Sequence, residues 1–310
     1  MNINKMLGVK YPIIQGGMAN MTNGTFAAAL SNAGVLGTIG AGGMKPNTLK
    51  EEIAICRSKT DKPFAVNLIM FRKDIKEMVD VVCEAKVPFV IAGAASPAPF
   101  MEQFEEAGIK VLPVVSSPIQ IRKLDKLNVS AYIAEGMEAG GHIGEMTTMT
   151  LIYQAKQETD KPIIAAGGIG SGAQMLAAEV LGASGVQIGT AFLFTNESPT
   201  HANYKEALIN ASSSRITSIG YIKGRPMRVL KNAMAREYLK LERSGDDKDE
   251  LETFTLGRLR KAVNEGDVQQ GSVMCGYTAA QFDRLYSAGE MVEKLMTEYD
   301  EAKKRIVSGN

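Results

Sequence analysis

The first two-thirds of the chain repeats one rhythm eight times: a short apolar, β-rich run, a glycine or polar residue, then a longer amphipathic stretch. The runs are Pro12 to Gln15, Leu36 to Ile39, Phe64 to Asn67, Phe89 to Ile91, Val111 to Val115, Ala131 to Ala134, Ile163 to Ala166 and Val186 to Ile188. Continuously apolar strands alternating with helices belong in a parallel sheet whose outer face is covered, and eight such units close into a barrel. The predicted fold is therefore α/β, a (β/α)8 TIM barrel. An open doubly wound sheet is the alternative. Against it, the first glycine-rich turn, Gln15-Gly16-Gly17-Met18, lacks the G-x-G-x-x-G spacing of a dinucleotide-binding turn.

Between the runs, Pro46 followed by Thr48 and Glu51 predicts a helix over Thr48 to Lys59 that opens on a capping box. Gly34, Gly108 and Gly182 stand where a helix hands over to a strand, and each is expected as a left-handed cap. After Glu197 the strand rhythm stops. Residues from about Asn203 to Gly266 read as helical and more charged, with a solvated turn between Arg243 and Leu251. From Ala279 to Ile306 the apolar residues again fall at helical spacing and are expected to pack back on the barrel. The expected organisation is a barrel of residues 1–200 and 271–310, with residues 201–270 a small helical insertion near the C-terminus, lying over the barrel mouth.

Ligands of such barrels bind at the carboxyl ends of the strands, where the loops converge. Those positions are rich in glycine, which lets backbone approach a flat ligand closely. Ala165-Ala-Gly167-Gly168-Ile-Gly170 and Ile188-Gly189-Thr190 follow the seventh and eighth strands, where barrels often cradle a phosphate. Gly168, Gly189 and Thr190 are the expected phosphate donors. His142 sits in the glycine-lined loop after the sixth strand and is the candidate catalytic residue. Glu138 in that loop is expected to be an orienting or a surface carboxylate rather than an acid catalyst, and His201 to serve a helix start. Met18, Met44, Met70, Met137 and Met274 fall near loop ends, where they either line an acyl pocket or fill gaps.

Lys and Arg number 35 against 34 for Asp and Glu, so no overall field draws the chain to nucleic acid or to an anionic membrane. No long apolar run or signal-peptide core is visible, and a cytoplasmic location is expected. Two histidines and three scattered cysteines leave no His-rich or Cys-His metal centre; the cysteines read as reduced thiols. The chemistry must then rest on an organic cofactor, carboxylates or one histidine.

The stretches YPIIQGGMA (Tyr11 to Ala19), DKPFAVN (Asp61 to Asn67), AEGMEAGGHIGEMTTMTL (Ala134 to Leu151), IIAAGGI (Ile163 to Ile169), GVQIGTAF (Gly185 to Phe192) and GDVQQGSVMCG (Gly266 to Gly276) resemble, in order, the FMN-dependent enoyl-acyl-carrier-protein reductase II family. The resemblance implies FMN reduced by NADH or NADPH, and hydride transfer to a trans-2-enoyl thioester on acyl-carrier protein or CoA, the last step of fatty-acid elongation. It further implies that Gly17, Met18, Asn67, Glu135 and Gln187 surround the flavin ring and ribityl chain, and that Gly167, Gly168, Gly189 and Thr190 hold its phosphate. His142 matches the family's active-site histidine. The family also implies a monovalent cation on loop carbonyls and a homodimer.

The nearest rival, nitronate monooxygenase, shares barrel, FMN and the Ala-Gly-Gly-His block. Glu135 before Gly136, the Thr147 to Thr150 run and the GSVMCG ending lean toward the reductase, although Cys275 and Tyr277 vary from the expected reductase ending. A sugar-phosphate barrel without flavin and a non-catalytic flavin- or metabolite-binding regulator are the further alternatives. A basic patch of Lys223, Arg225, Arg228 and Lys231 is a candidate receiver for the acidic carrier protein.

Overall fold

The computed structural model describes residues 1–222, 225–245 and 247–309. Eight parallel strands form at the eight expected places: β1 (Ile13–Gln15), β2 (Gly37–Gly40), β3 (Phe64–Ile69), β4 (Phe89–Gly93), β5 (Lys110–Val115), β6 (Tyr132–Glu135), then, after a two-residue strand β7 (Gly141–His142), β8 (Ile163–Ala166) and β9 (Gly185–Ile188). The barrel strands pair in the order β1-β9-β8-β6-β5-β4-β3-β2. The ring closes between β1 and the residue before β2, where Gln15 N–H donates to Leu36 O and Leu36 N–H to Ile13 O, each at 2.9 Å.

Alternation along the strands sorts their side chains into two cores. Ile14, Leu36, Ala65, Ile91, Ile133, Ile164 and Ala166 fill the barrel interior, whereas Ile13, Val66, Val90, Tyr132, Ile163 and Val186 face the helices. The short helix α1 (Ile3–Leu7) sends Ile3 and Leu7 into the interior core, and so plugs the amino-terminal end. At the opposite end the inward series changes character. Two residues beyond Ala65, Ile133 and Gly185 come Asn67, Glu135 and Gln187, so polar side chains top an apolar interior.

The helices α2 (Gly24–Asn32), α3 (Pro46–Lys59), α4 (Ile75–Glu84), α5 (Met101–Glu106), α6 (Pro118–Leu124), α7 (Thr148–Gln157) and α8 (Gly172–Val180) alternate with the strands. Gly34, Gly108 and Gly182 do hold left-handed φ of 95°, 70° and 103°. The capping box expected of Thr48 and Glu51 does not form. Pro46 itself takes the first helical position, where its missing N–H costs nothing, and α3 starts there without a side-chain cap.

Beyond α9 (Ala202–Ile209) the chain is not purely helical. Strands β10 (Ile216–Ile219) and β11 (Met227–Leu230) pair antiparallel, and β11 pairs in turn with β7, setting Met227 opposite His142 and Arg228 opposite Gly141. Three helices follow: α10 (Ala233–Ser244), α11 (Lys248–Thr255) and α12 (Arg258–Glu265). In the stretch expected as a solvated turn, Gly245 caps α10 in the left-handed conformation and Asp247 opens α11 with a capping box to Glu250; Asp246 lies outside the described residues. This segment has its own small core of Ile219, Met227, Val229, Met234, Ala235, Tyr238 and Leu251.

The last helix, α13 (Ala288–Ser308), begins nine residues later than the apolar spacing predicts, at a capping box between Ser287 and Glu290. Phe282 lies outside it and stacks on Phe194, with ring centroids 4.9 Å apart. The helix packs against α8, where Gly172 N–H donates to Glu298 at 3.0 Å. A methyl group on Gly172 would collide with Tyr299 N and lie 2.6 Å from Glu298 Cβ. Gly172→Ala is therefore expected to destabilise by about 3 kcal/mol through overpacking, read as a lower urea midpoint with unchanged slope. The helical-propensity gain from alanine, below about 1 kcal/mol, does not offset it.

Candidate active site

Close contacts gather the carboxyl-end loops into one mouth. A Cβ placed on Gly17 would strike the Asn67 side chain, coming 2.8 Å from its Cγ, so only glycine lets the loop after β1 lie against β3. Asn67 is fixed there by donating its Nδ2 hydrogen to Ile91 O at 3.2 Å. The same β1 loop touches the β9 loop: a Cβ placed on Gly16 would lie 3.3 Å from Gly189 Cα, and one placed on Gly189 would lie 3.5 Å from Met18 Sδ. On the other side of the mouth, Gly167 and Gly168 take φ of 91° and 74°, conformations only glycine adopts freely, and lie against the β6 loop at Gly136 and Glu138.

Of the two readings open for Glu138, the orienting one matches its bonds. Its carboxylate accepts from Thr148 N–H at 2.7 Å, at the amino end of α7, while the Thr148 hydroxyl donates to Gly167 O at 2.9 Å. One carboxylate thereby ties the His142 loop to a helix start, and the neighbouring threonine ties that start to the β8 loop. Thr190 Oγ accepts from Gly276 N–H at 2.9 Å, which leaves the hydroxyl hydrogen free for an anion. The backbone N–H groups of Gly168, Gly189 and Thr190 find no acceptor among the turn, loop and cap bonds of the described residues. Gln187 Oε1 is buried with no hydrogen-bond partner. Unpaired donors beside a glycine cradle and an unpaired acceptor at the barrel top are a demand for a ligand with an anionic tail and a hydrogen-bonding ring. FMN has both, so these residues fit it.

The Glu135 carboxyl, at the end of β6, makes no hydrogen bond or ion pair among the described residues, and burial pushes it up to about 7. A raised folded-state pKa means stability that is full below the unfolded value of 4.5 and is lost as pH rises through about 7. The flavin-free protein is thus expected to lose up to about 3 kcal/mol of stability across that window. Glu135→Gln, which never ionises, should show a flat profile there; identical thermal melts for the two proteins at both ends of the window would contradict the burial argument.

His142 lies on β7, held by its pairing with β11 and by Ile143 N–H donating to Pro226 O at 3.0 Å. Its ring is reachable from solvent yet crowded by protein, and burial, with Arg225 nearby, lowers its pKa below the ordinary 6.5. It is neutral at pH 7, with one N–H to donate and no side-chain partner among the described residues. His201, by contrast, caps α9, its Nδ1 accepting from Asn203 N–H at 3.1 Å.

The basic patch drawn from the sequence does not assemble. Arg225 is paired with Glu252 at 3.0 Å, and Lys223 lies outside the described residues. Arg228 is buried at 3% exposure, donating to Met137 O and, at 3.0 Å, to Ala139 O, with its guanidinium 4.7 Å over the Tyr277 ring. Sequence reasoning placed this arginine on the surface. It is instead the internal tether of the His142 loop, and the one available signal was its place in a short apolar run, Met227 to Leu230. Cys56 and Cys275 are buried thiols, each pushed up to about 12 by desolvation, which makes them poor nucleophiles.

The sequence profile of the nitronate monooxygenase family matches residues 2–79 and 73–298. FabK from Thermotoga maritima superposes with a TM-score of 0.96 at 40% identity, covering 99% of this chain and 98% of that one. A nitroalkane oxidase from Streptomyces ansochromogenes superposes with a TM-score of 0.86 at 27% identity, over 96% of this chain and 98% of the other. A probable nitronate monooxygenase of Staphylococcus aureus is 30% identical over 86% of this chain and 88% of its own length.

Proposed function

The chain belongs to the nitronate monooxygenase family of flavin-dependent TIM-barrel oxidoreductases, and we propose that within it this enzyme reduces trans-2-enoyl thioesters to their saturated forms with FMN and NADH or NADPH. The observation that carries the reading is the whole-chain likeness to FabK at 40% identity, against 27% to 30% for the nitroalkane oxidase and the probable monooxygenase. We place the reaction in the cytoplasm, as a step of fatty-acid synthesis with acyl-carrier protein or CoA thioesters as substrates. No helix among the described residues is long and apolar enough to cross a membrane.

When bound, FMN supplies hydride acceptance from the nicotinamide and hydride delivery to the β-carbon of the enoyl group. The rest falls to the chain's own residues. Gly168, Gly189 and Thr190 offer free N–H groups, and the Thr190 hydroxyl one further donor, to a phosphate, with Gly167 shaping the loop. Asn67, Glu135 and Gln187 present polar atoms at the barrel top, where Gly17 and Met18 supply backbone for close approach. As the β-carbon accepts hydride, the π pair of the enoyl double bond shifts toward the α-carbon and on to the thioester oxygen, where negative charge accumulates. The N–H of neutral His142 is the donor for that oxygen, and the same ring can relay a proton from solvent to the α-carbon, taking one up at one nitrogen as it gives one from the other, to complete the reduction.

The curated relatives favour a second reading, oxidation of nitronates by oxygen. The two are separated by comparing kcat/KM for a crotonyl thioester with NADH and for ethylnitronate with oxygen. The reductase reading expects the thioester to be preferred by about 100-fold or more, roughly 2.7 kcal/mol in transition-state binding. The opposite preference would move the assignment to the monooxygenase.

A further inference from the structure

Helix α10 buries Met234, Ala235, Tyr238 and Glu242, and on its other side exposes Arg236, Lys240 and Arg243 at spacings that align along one face. With Lys231 and Leu239 these side chains line a groove of about 310 Å³. None of the four cations has a carboxylate partner among the described residues, whereas Arg225, Lys261 and Lys294 elsewhere are paired. Exposed Glu237 on the same helix pairs with none of them. Glu242 is turned inward and accepts from Ile222 N–H at 2.9 Å. In a chain of net charge +1, four unpaired cations in one groove are a concentrated positive field.

The groove is also tied to the active mouth. Lys231 directly follows β11, four residues beyond Met227, the residue paired with His142, so the strand separates them by at most about 13 Å. We propose that this groove docks an acidic helical surface of the protein that carries the enoyl thioester, with Leu239 meeting an apolar residue of that helix. The inference rests on the enoyl-thioester reading above. Exposed charges of this kind act mainly by steering encounter, so the contact should be weakened by salt and should leave the chemical step untouched.

The test uses the FMN-loaded enzyme and its R236E/K240E variant, two residues outside the machinery assigned above. Acyl-carrier protein is titrated into each by calorimetry at low and raised salt, and initial rates are taken with carrier-bound and N-acetylcysteamine crotonyl thioesters. The proposal expects the variant to bind carrier about tenfold or more weakly, the wild type to lose affinity with salt, and KM to rise for the carrier-bound substrate alone with kcat unchanged. Equal carrier affinity in the two proteins, or an equal rise in KM for both thioesters, overturns it. If the wild type reduces neither thioester, the reductase reading fails, and the titration by itself still decides the groove.

Discussion

His142→Ala is expected to lower enoyl reduction by about 10² to 10³ while FMN stays bound and NADH still reduces it, because the residue acts on the thioester and not on the cofactor. A single preorganised donor at a developing oxyanion is worth about 3 kcal/mol, which sets that range. His142→Gln separates the two tasks open to the ring. A glutamine N–H keeps the hydrogen bond to the thioester oxygen but cannot relay a proton at neutral pH. Substantial recovery in the glutamine variant assigns His142 to oxyanion stabilisation; none assigns it to the proton. Because the folded-state pKa lies below 6.5, the wild-type rate should be level through neutral pH and rise only on the acid side, where the cationic ring is the stronger donor to the thioester oxygen. Stopped-flow absorbance on the two half-reactions reads both effects.

Arg228→Met should be the most damaging substitution that touches neither cofactor nor substrate. Apolar replacement of a buried charge is often tolerated, but here the side chain's loss leaves Met137 O and Ala139 O buried with no donor, and removes the cation from the face of Tyr277. The expected cost is about 3 kcal/mol in chemical denaturation. Those carbonyls belong to the loop that leads into His142, so kcat should fall about tenfold even where the protein remains folded, with the NADH half-reaction spared. Arg228→Lys should recover part of the stability, since an ammonium can satisfy the carbonyls without the planar fork that spans them. An active, fully stable methionine variant would show that the loop holds its shape without the tether.

The barrel was legible because a parallel strand buried on both faces must be apolar throughout, and eight such runs, from Ile13 to Ile188, stand clear of the amphipathic helices between them. The shape of the glycine loop after β8 was legible because positive φ at Gly167 and Gly168 is written into the residue type. The small antiparallel sheet was not. Its strand at Gly141–His142 is two residues long and is held by Met227 and Arg228, far along the chain, so no local pattern announces it. Arg228 misled for the same reason: an arginine in a charged stretch reads as surface until its carbonyl partners from the β6 loop are known. At the C-terminus, helical spacing of Phe282, Leu285 and Tyr286 extended the predicted helix too far, whereas the Ser287 to Glu290 capping box marked the true start. Glu135 illustrates a further limit, since its raised pKa comes from burial at the barrel top and not from its neighbours in sequence.

The most direct test of the central claim is anaerobic oxidation of NADH by the FMN-loaded protein with and without a crotonyl thioester, with the product identified by mass. The account predicts rapid, thioester-dependent oxidation that yields one butyryl thioester for each NADH consumed. Oxidation no faster with the thioester than without it, and no saturated product, would contradict the reductase assignment.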